Sequence, residues 1–357
     1  MAYKRLTVTA SIALGCAVCA VPAQARTDGQ NAAMMLALTG TRLTTAQADK
    51  LEQQLKAHPD NLSIRTELLG YNSIKAPVSS EARAGDDKQI TWIITHRPQA
   101  AVAGTLFAKP DALVNPAGYA QAKSLWQKAI TAHPKNVRIL ANAAAFYTPE
   151  HARAAARCLK ICASLDPRNP HWPDRLGQLY HLEFAVPRGG NVKAAAAQAL
   201  KYFKEALALT QSGRSRFYLL GSLGDAALAA GKAKDAAAYA HQLLRAAAKF
   251  RSDWNYGNAI FTSHSILGQL AIERGNIKRA DQQLLLAGQT PGSPQLDSFG
   301  PDLTLAKELL AKRQRMPVLR FFQAVGKFWV MGRLRLVAWE KIIKAGGTPD
   351  VHTFGLP

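Results

Sequence analysis

The sequence is poor in cysteine and in acidic residues. Four of its 357 residues are cysteine, and 45 lysines and arginines outnumber 24 aspartates and glutamates, which gives a formal net charge of +21. Cys16 and Cys19 lie near the start, and only Cys158 and Cys162 lie further along, four residues apart on a predicted helix. Cysteines at this spacing are too far apart for easy bridging, which excludes a fold held by disulfides.

The sequence also lacks the short motifs of common enzymes. It contains no HExxH, G-x-S-x-G, P-loop or G-x-G-x-x-G pattern. His151, Cys158 and Cys162 share one face of a predicted helix, and with His171 they could form a Cys2His2 zinc site. Cys162 takes the same repeat position as the small Ala129, however, and free cysteine commonly packs as a small hydrophobe. We therefore expect no metal, no cofactor and no catalysis, with a hidden hydrolase or metal enzyme as the less favoured alternative.

Long apolar runs are missing after the first 25 residues, so no later segment reaches the ~18 residues needed to span a bilayer. At the start, Lys4 and Arg5 precede the apolar run of residues 6–21, and small residues close it at Ala25. This layout is typical of a secretory signal peptide. It predicts cleavage after Ala25 and a mature protein in the periplasm or outside the cell. Lipidation at Cys16 is the alternative.

The excess of basic residues indicates which chemical class of partner the protein would attract. Removal of the first 25 residues leaves 43 basic against 24 acidic residues, a net charge of +19, most of it after residue 110. A basic exported protein meets acidic proteins, anionic lipid or anionic polysaccharide more readily than nucleic acid. We expect a protein or peptide partner, which can be acidic, or an anionic envelope surface, and no nucleic acid. A well-solvated basic surface without a partner remains open.

Two short endings recur along the chain. HPKN covers residues 133–136 and DPRN covers residues 166–169, which places their prolines 33 residues apart. Each follows a predicted helix with small, large and small residues at the same offsets: Ala122, Trp126 and Ala129 in one, and Ala155, Leu159 and Cys162 in the other. A period of about 34 residues with this pattern predicts helix pairs that bury their apolar faces against one another.

Further copies carry a leucine–glycine pair. Leu176, Gly177 and Tyr180 fit an L-G-x2-Y core, Leu223-Gly224 leads to Gly231 and Ala236, and Leu267-Gly268 leads to Gly275 and Ala280, 44 residues later. Over residues 119–288 the chain resembles the tetratricopeptide-repeat family, and its exported bacterial members in particular. The resemblance implies an all-α fold, a right-handed helix-turn-helix solenoid, that binds a partner in a concave groove.

The flanking segments complete the expected organisation. Residues 45–71 contain an HPDN ending and indicate a degenerate repeat, whereas residues 72–88 look like a linker. Three basic helices near the C-terminus, over residues 302–312, 316–329 and 333–344, are expected to cap the solenoid. The predicted regions are a signal peptide (1–25), an N-terminal helical region with the degenerate repeat and linker (26–110), tetratricopeptide-like repeats (111–290) and a basic helical cap (291–357).

A row of polar residues is the candidate partner groove. Gln178, Asp225 and Gln269 each follow the glycine of a leucine–glycine pair. Neighbouring positions on the same helices add Asp174, His181, Ser222 and Ser265. Polar rows of this kind can hold an extended peptide or a partner helix. A solvated groove that binds nothing in particular is the alternative.

The C-terminal helices offer a second candidate surface. Phe321, Phe322, Phe328, Trp329 and Trp339 alternate with basic residues in this segment. Cations suit anionic headgroups and aromatic rings suit the membrane interface, so the segment could bind an anionic surface peripherally. The alternative is a cap whose apolar face packs inward while its charges stay in water. The residues expected to contact an anionic surface are Arg313, Arg315, Arg320, Lys327, Arg333 and Arg335.

Overall fold

The fold is all α wherever the structure describes the chain. The computed structural model describes residues 28–148, 150–186 and 190–351, and no β-strand occurs in these ranges. The expected signal peptide, with its cleavage site at Ala25 and the alternative lipidation site at Cys16, lies outside the described residues.

Seventeen α-helices follow one another along the described residues, joined mostly by short turns. They are α1 (Asp28–Gly40), α2 (Thr45–Ala57), α3 (Leu62–Lys75), α4 (Ser80–His96), α5 (Pro116–Ala132), α6 (Val137–Tyr147), α7 (Ala152–Leu165), α8 (His171–Ala185), α9 (Val192–Leu209), α10 (Gly213–Ala229), α11 (Ala233–Ala247), α12 (Tyr256–Glu273), α13 (Ile277–Gly288), α14 (Pro294–Phe299), α15 (Thr304–Ala311), α16 (Arg315–Val325) and α17 (Arg333–Lys344). None of these helices is long and apolar enough to cross a bilayer.

The recurring HPDN and HPKN endings are helix-to-helix turns. In both, the histidine ends one helix, and the asparagine caps the next by accepting a hydrogen bond from a backbone amide. Asn61 Oδ1 accepts from the Ile64 amide at 3.1 Å, and Asn136 Oδ1 accepts from the Ile139 amide at 3.2 Å. Because a capping side chain satisfies an amide that the helix leaves free, asparagine at this place fixes where each second helix starts.

The described chain divides into two compact units, with the boundary after Leu179, inside α8. In the N-terminal unit, α3 packs on α1 and α4, α4 packs on α5, and α6 packs on α7. Helices α1 and α3 approach closely, because a Cβ atom on Gly70 would come within 1.9 Å of the Ala37 carbonyl oxygen. Glycine is required there because any side chain would separate the two helices.

Residues 72–88 do not form a linker, contrary to the expectation from sequence. Helix α3 continues to Lys75, and α4 begins at Ser80 after Ser79, whose hydroxyl caps the Ala82 amide. The first half of α4 buries Ala82 and Asp86 rather than large apolar side chains. The apolar periodicity that marks a helix in sequence was therefore weak in this segment.

In the C-terminal unit, consecutive helices from α9 to α13 pack in sequential neighbouring pairs. The turns after α10 and α12 share one geometry, with φ of 70° at Gly231 and 72° at Gly275. The amides of Lys232 and Asn276 each donate back to the carbonyl five residues earlier, at 2.8 and 2.9 Å. The two segments predicted as copies thus end their first helices in the same left-handed glycine turn.

A third copy of this turn follows α15, which the sequence did not indicate. Arg313 has a φ of 63°, and the Gln314 amide donates to the Leu309 carbonyl at 2.9 Å. Helices α15 and α16 both pack on α13, and α15 also contacts α12. The first two helices of the expected cap therefore form another helix pair of the same kind, and α17 packs on α16 after it.

The aromatic residues of the C-terminal segment form its core. Phe321, Phe322, Trp329 and Trp339 are all buried, together with aliphatic side chains of α15 to α17. The apolar face of these helices therefore packs inward. Residues other than these four aromatic ones are therefore exposed on the surface of α15 to α17.

Candidate functional site

Two of the predicted groove residues, Asp174 and Gln178, lie one turn apart on α8 in the N-terminal unit. Both side chains are half-buried. Asp174 accepts a hydrogen bond from Gln178, while its Oδ1 atom is covered and has no partner among the described residues. Burial raises the pKa of Asp174 to about 6, although Arg175 and Gln178 oppose that rise. Burial therefore disfavours the ionised form of Asp174, and a hydrogen-bond donor of a ligand could stabilise that form.

His181 lies further along α8, beyond the boundary of the two units, and it is surrounded by aromatic rings. Its ring centroid is 4.6 Å from that of Phe184 and 6.3 Å from that of Phe203. The Nδ1 atom is buried without a hydrogen-bond partner in the described structure. Burial lowers the pKa of His181 to about 4, so the ring is neutral at pH 7. This residue packs against its neighbours and offers no charge to a ligand.

Ser222 and Asp225 lie on α10, the first helix of its pair, and both are half-buried. Burial, together with the nearby carboxylate of Asp302, raises the pKa of Asp225 to about 7. Among the described residues, no lysine, arginine or histidine lies within salt-bridge distance of Asp225. The structure thus holds a carboxylate at a partly covered position without a compensating cation.

Ser265 and Gln269 occupy the corresponding helix of the next pair, α12, which contacts α10. Ser265 is buried and Gln269 is half-buried. The contact between the two helices is made at the predicted glycine, because Gly224 faces Ile266 so closely that a Cβ atom would lie 2.7 Å from its Cδ1 atom. The leucine–glycine pairs therefore bring these two polar segments into neighbouring helices, as the repeat pattern requires.

Three further acidic residues of the C-terminal unit interact electrostatically with Asp225 or with one another, and the sequence analysis did not identify them. The negative charge of Asp302 contributes to the raised pKa of Asp225. Burial, together with the charges of Asp302 and Glu273, raises the pKa of Glu308. The group of Asp225, Glu273, Asp302 and Glu308 is locally negative in a chain with a large basic excess. Asp302 lies 77 residues after Asp225, so no local motif could have indicated it.

The basic residues predicted to contact an anionic surface lie on two helices, α16 and α17, and in the turns before and after α16. Arg320, Lys327 and Arg333 are exposed, as is Arg313 in its left-handed turn, whereas Arg315 and Arg335 are half-buried. The aromatic rings that were expected to accompany them at a membrane are buried, apart from the half-buried Phe328. Aliphatic side chains are exposed instead, and these include Leu334 and Val337.

The cysteine pair is part of the core of the N-terminal unit. Cys158 and Cys162 are buried on α7, and the Cys162 thiol donates to the Val137 carbonyl at 3.6 Å. Burial raises the pKa of Cys158 to about 11 and that of Cys162 to about 12. Because the thiolate is the metal-binding form, this environment favours packing. No group of three or more potential metal ligands occurs in the described part of the chain.

A cleft of about 500 Å³ lies in the N-terminal unit between α3, α4 and α5, and none of the predicted residues lines it. Several of its polar side chains already have partners within the protein. The Arg65 guanidinium lies 3.9 Å from the Trp92 ring centre and donates to Gln89, and Asp87 accepts from Asn115 at 2.8 Å. These contacts stabilise the packing of α3 to α5.

No protein-family model matches the chain, and no curated protein matches its sequence significantly.

Proposed function

We propose that the protein is a non-catalytic interaction module that binds an extended peptide or a partner helix along the first helices of its repeats. The helix pairs would be of the tetratricopeptide type, and the protein would act after export, in the periplasm or outside the cell. The observation that supports this proposal most directly is the half-buried, uncompensated carboxylate of Asp225 beside the polar residues of α10 and α12.

The chemistry of this position favours a cation in the bound partner. A lysine or arginine of the ligand would give Asp225 the ion pair that the protein itself does not provide, and charge-assisted hydrogen bonds are the stronger ones. The positive field of the whole protein, in contrast, favours encounter with an acidic molecule. We infer a partner that is acidic overall and presents a basic side chain to Asp225.

This proposal predicts a pH-dependent affinity. Asp225 has a pKa of about 7, so it gains its negative charge as the pH rises through neutrality. A selected peptide that presents a basic side chain to Asp225 should therefore bind about three- to tenfold more tightly at about pH 8 than at about pH 6. The Asp225→Asn variant should bind weakly at both values, since it lacks the charge. It should remain folded, because the substitution removes a carboxylate whose ionised form is disfavoured by burial.

The experiment is a selection from a displayed library of short peptides on immobilised mature protein, followed by titration calorimetry. Asp235→Asn is the matched control, because it removes the same charge from the second helix α11, where Asp235 forms an ion pair with the exposed Lys204. Peptides with a shared basic residue that bind Asp235→Asn but not Asp225→Asn would support the proposal. Selection of no peptide, or equal binding by both variants, would contradict it.

A further inference from the structure

The last helix, α17, is apolar on two opposite faces. Leu336, Trp339 and Ile343 are buried in the C-terminal core. Leu334 and Val337 lie on the opposite side of the helix wheel, and they are 87% and 61% exposed. The preceding 3₁₀ turn, Val330–Gly332, adds the exposed side chains of Val330 and Met331. These four residues are here called the aliphatic patch.

The surrounding packing holds the aliphatic patch outward. Trp329 is fully buried immediately before it, and a Cβ atom on Gly332 would lie 2.2 Å from the Trp329 ring. The Val330 amide donates to Asp297 Oδ1 at 2.9 Å. Because the turn is fixed at both ends and α17 buries its other face, the patch cannot turn inward without breaking these contacts.

Cations accompany the aliphatic patch on the same side of the helix. Arg333 and Lys341 are exposed within 100° of Leu334 on the helix wheel, and the exposed Lys327 lies in the segment just before the turn. No described carboxylate lies within salt-bridge distance of these three residues. Their charges are therefore available to an anionic surface.

We propose that the aliphatic patch and its cations form a docking surface for an anionic lipid bilayer. Leucine, valine and methionine side chains would enter the boundary between headgroups and acyl chains, while Arg333, Lys341 and Lys327 contact lipid phosphates. A second copy of the chain fits less well, since it would bring like charges together. The patch also lacks the aromatic rings and amides that usually bind polysaccharide. This surface shares no residue with the polar groups of α10 and α12.

The test is cosedimentation of the mature protein with vesicles of phosphatidylcholine containing roughly 30% phosphatidylglycerol, and with vesicles of phosphatidylcholine alone. The wild type should bind the anionic vesicles, and binding should weaken when NaCl is raised, because salt screens the headgroup contacts. Leu334→Gln/Val337→Gln should lose at least tenfold in partition coefficient. Both positions are at the surface, so the variant keeps its core.

The matched control is Val78→Gln/Leu113→Gln, which removes two aliphatic side chains that are each 82% exposed in the N-terminal unit. This control should bind like the wild type. Arg333→Gln/Lys341→Gln should also bind more weakly, and its remaining binding should depend less on salt.

Four outcomes would overturn the proposal. The first is an absence of binding to anionic vesicles, and the second is equal loss in the Val78/Leu113 control. The third is wild-type binding by Leu334→Gln/Val337→Gln alongside loss in Arg333→Gln/Lys341→Gln, which would indicate contact with an anionic polymer. Self-association in analytical ultracentrifugation that Leu334→Gln/Val337→Gln abolishes would assign the patch to a second copy and overturn it too.

Discussion

Asp86 is a buried carboxyl group that the fold keeps protonated. Burial, and to a lesser degree the neighbouring Asp87, raises its pKa to about 8, and its Oδ1 atom has no hydrogen-bond partner among the described residues. In the unfolded chain the same group ionises near 3.8. Between these two values the folded state binds a proton that the unfolded state has lost, so stability falls as the pH rises through this window.

Asp86→Asn should remove that dependence. The asparagine side chain is never charged, so we expect the free energy of unfolding to fall less between about pH 5 and about pH 8. At about pH 7 the variant should exceed the wild type by about 1–3 kcal/mol. Urea unfolding at each pH measures this difference.

Asp87→Asn is the control for Asp86→Asn. The Asp87 carboxylate accepts from Asn115 at 2.8 and 2.9 Å, so its loss should destabilise the protein while most of the pH dependence remains. Equal pH dependence in wild type and Asp86→Asn would show that Asp86 titrates normally.

At the scale of single residues, the sequence predicted which helix carries a residue better than it predicted the tertiary contacts and burial of that residue. The repeat phase predicted that Asp225 and Gln269 lie on helices at corresponding positions, and they lie on α10 and α12. It could not indicate that Asp302 approaches Asp225, because that contact depends on tertiary packing across 77 residues. Similarly, the sequence indicated aromatic and basic residues in the last helices, but burial of Trp329 and Trp339 depends on which face meets the core.

At the scale of elements, two left-handed turns of the C-terminal unit, at Gly275 and Arg313, predict opposite effects for two substitutions. Gly275→Ala should destabilise the protein by about 1 kcal/mol, because a Cβ atom is disfavoured at positive φ even though no atom lies near it. Arg313→Gly should stabilise it by about 0.5–1 kcal/mol, because glycine removes the same strain from the third turn. Urea unfolding midpoints at one pH measure both.

Arg313→Ala separates the backbone effect from the charge. It removes the cation but keeps a Cβ atom at a φ of 63°, so its stability should stay close to that of the wild type. Stabilisation by Arg313→Ala as large as that by Arg313→Gly would attribute the gain to lost charge repulsion and contradict the strain argument.

The helix pairs with glycine turns were predictable because glycine and alanine recur at fixed offsets, and each has a physical reason at its position. Gly231 and Gly275 adopt positive φ, and Ala236 and Ala280 are fully buried. The sequence did not predict the pair α15–α16, because Arg313 occupies the position that glycine has in the other turns. The sequence did not predict the first half of helix α4, because small and polar residues occupy its first buried positions, where a helical pattern normally has large apolar residues.

At the scale of the whole molecule, the basic excess should make stability depend on salt. The sequence carries a formal charge of +21, and the described residues form six salt bridges, of which several join exposed side chains. Exposed pairs contribute little, whereas like charges repel over about 30 Å at low salt and about 8 Å at physiological salt. Raising NaCl from about 10 mM to about 200 mM should therefore increase the free energy of unfolding by about 1 kcal/mol.

Urea is the appropriate denaturant for this measurement, because guanidinium chloride would itself screen the charges. A variant with Lys312, Arg320, Lys327 and Lys341 all replaced by glutamine carries four fewer positive charges at exposed positions of the C-terminal unit. Its stability should be higher at low salt and should respond less to added NaCl, since less repulsion is left to screen. A wild-type midpoint that falls on adding NaCl would mean that attraction between opposite charges outweighs the repulsion of the basic excess.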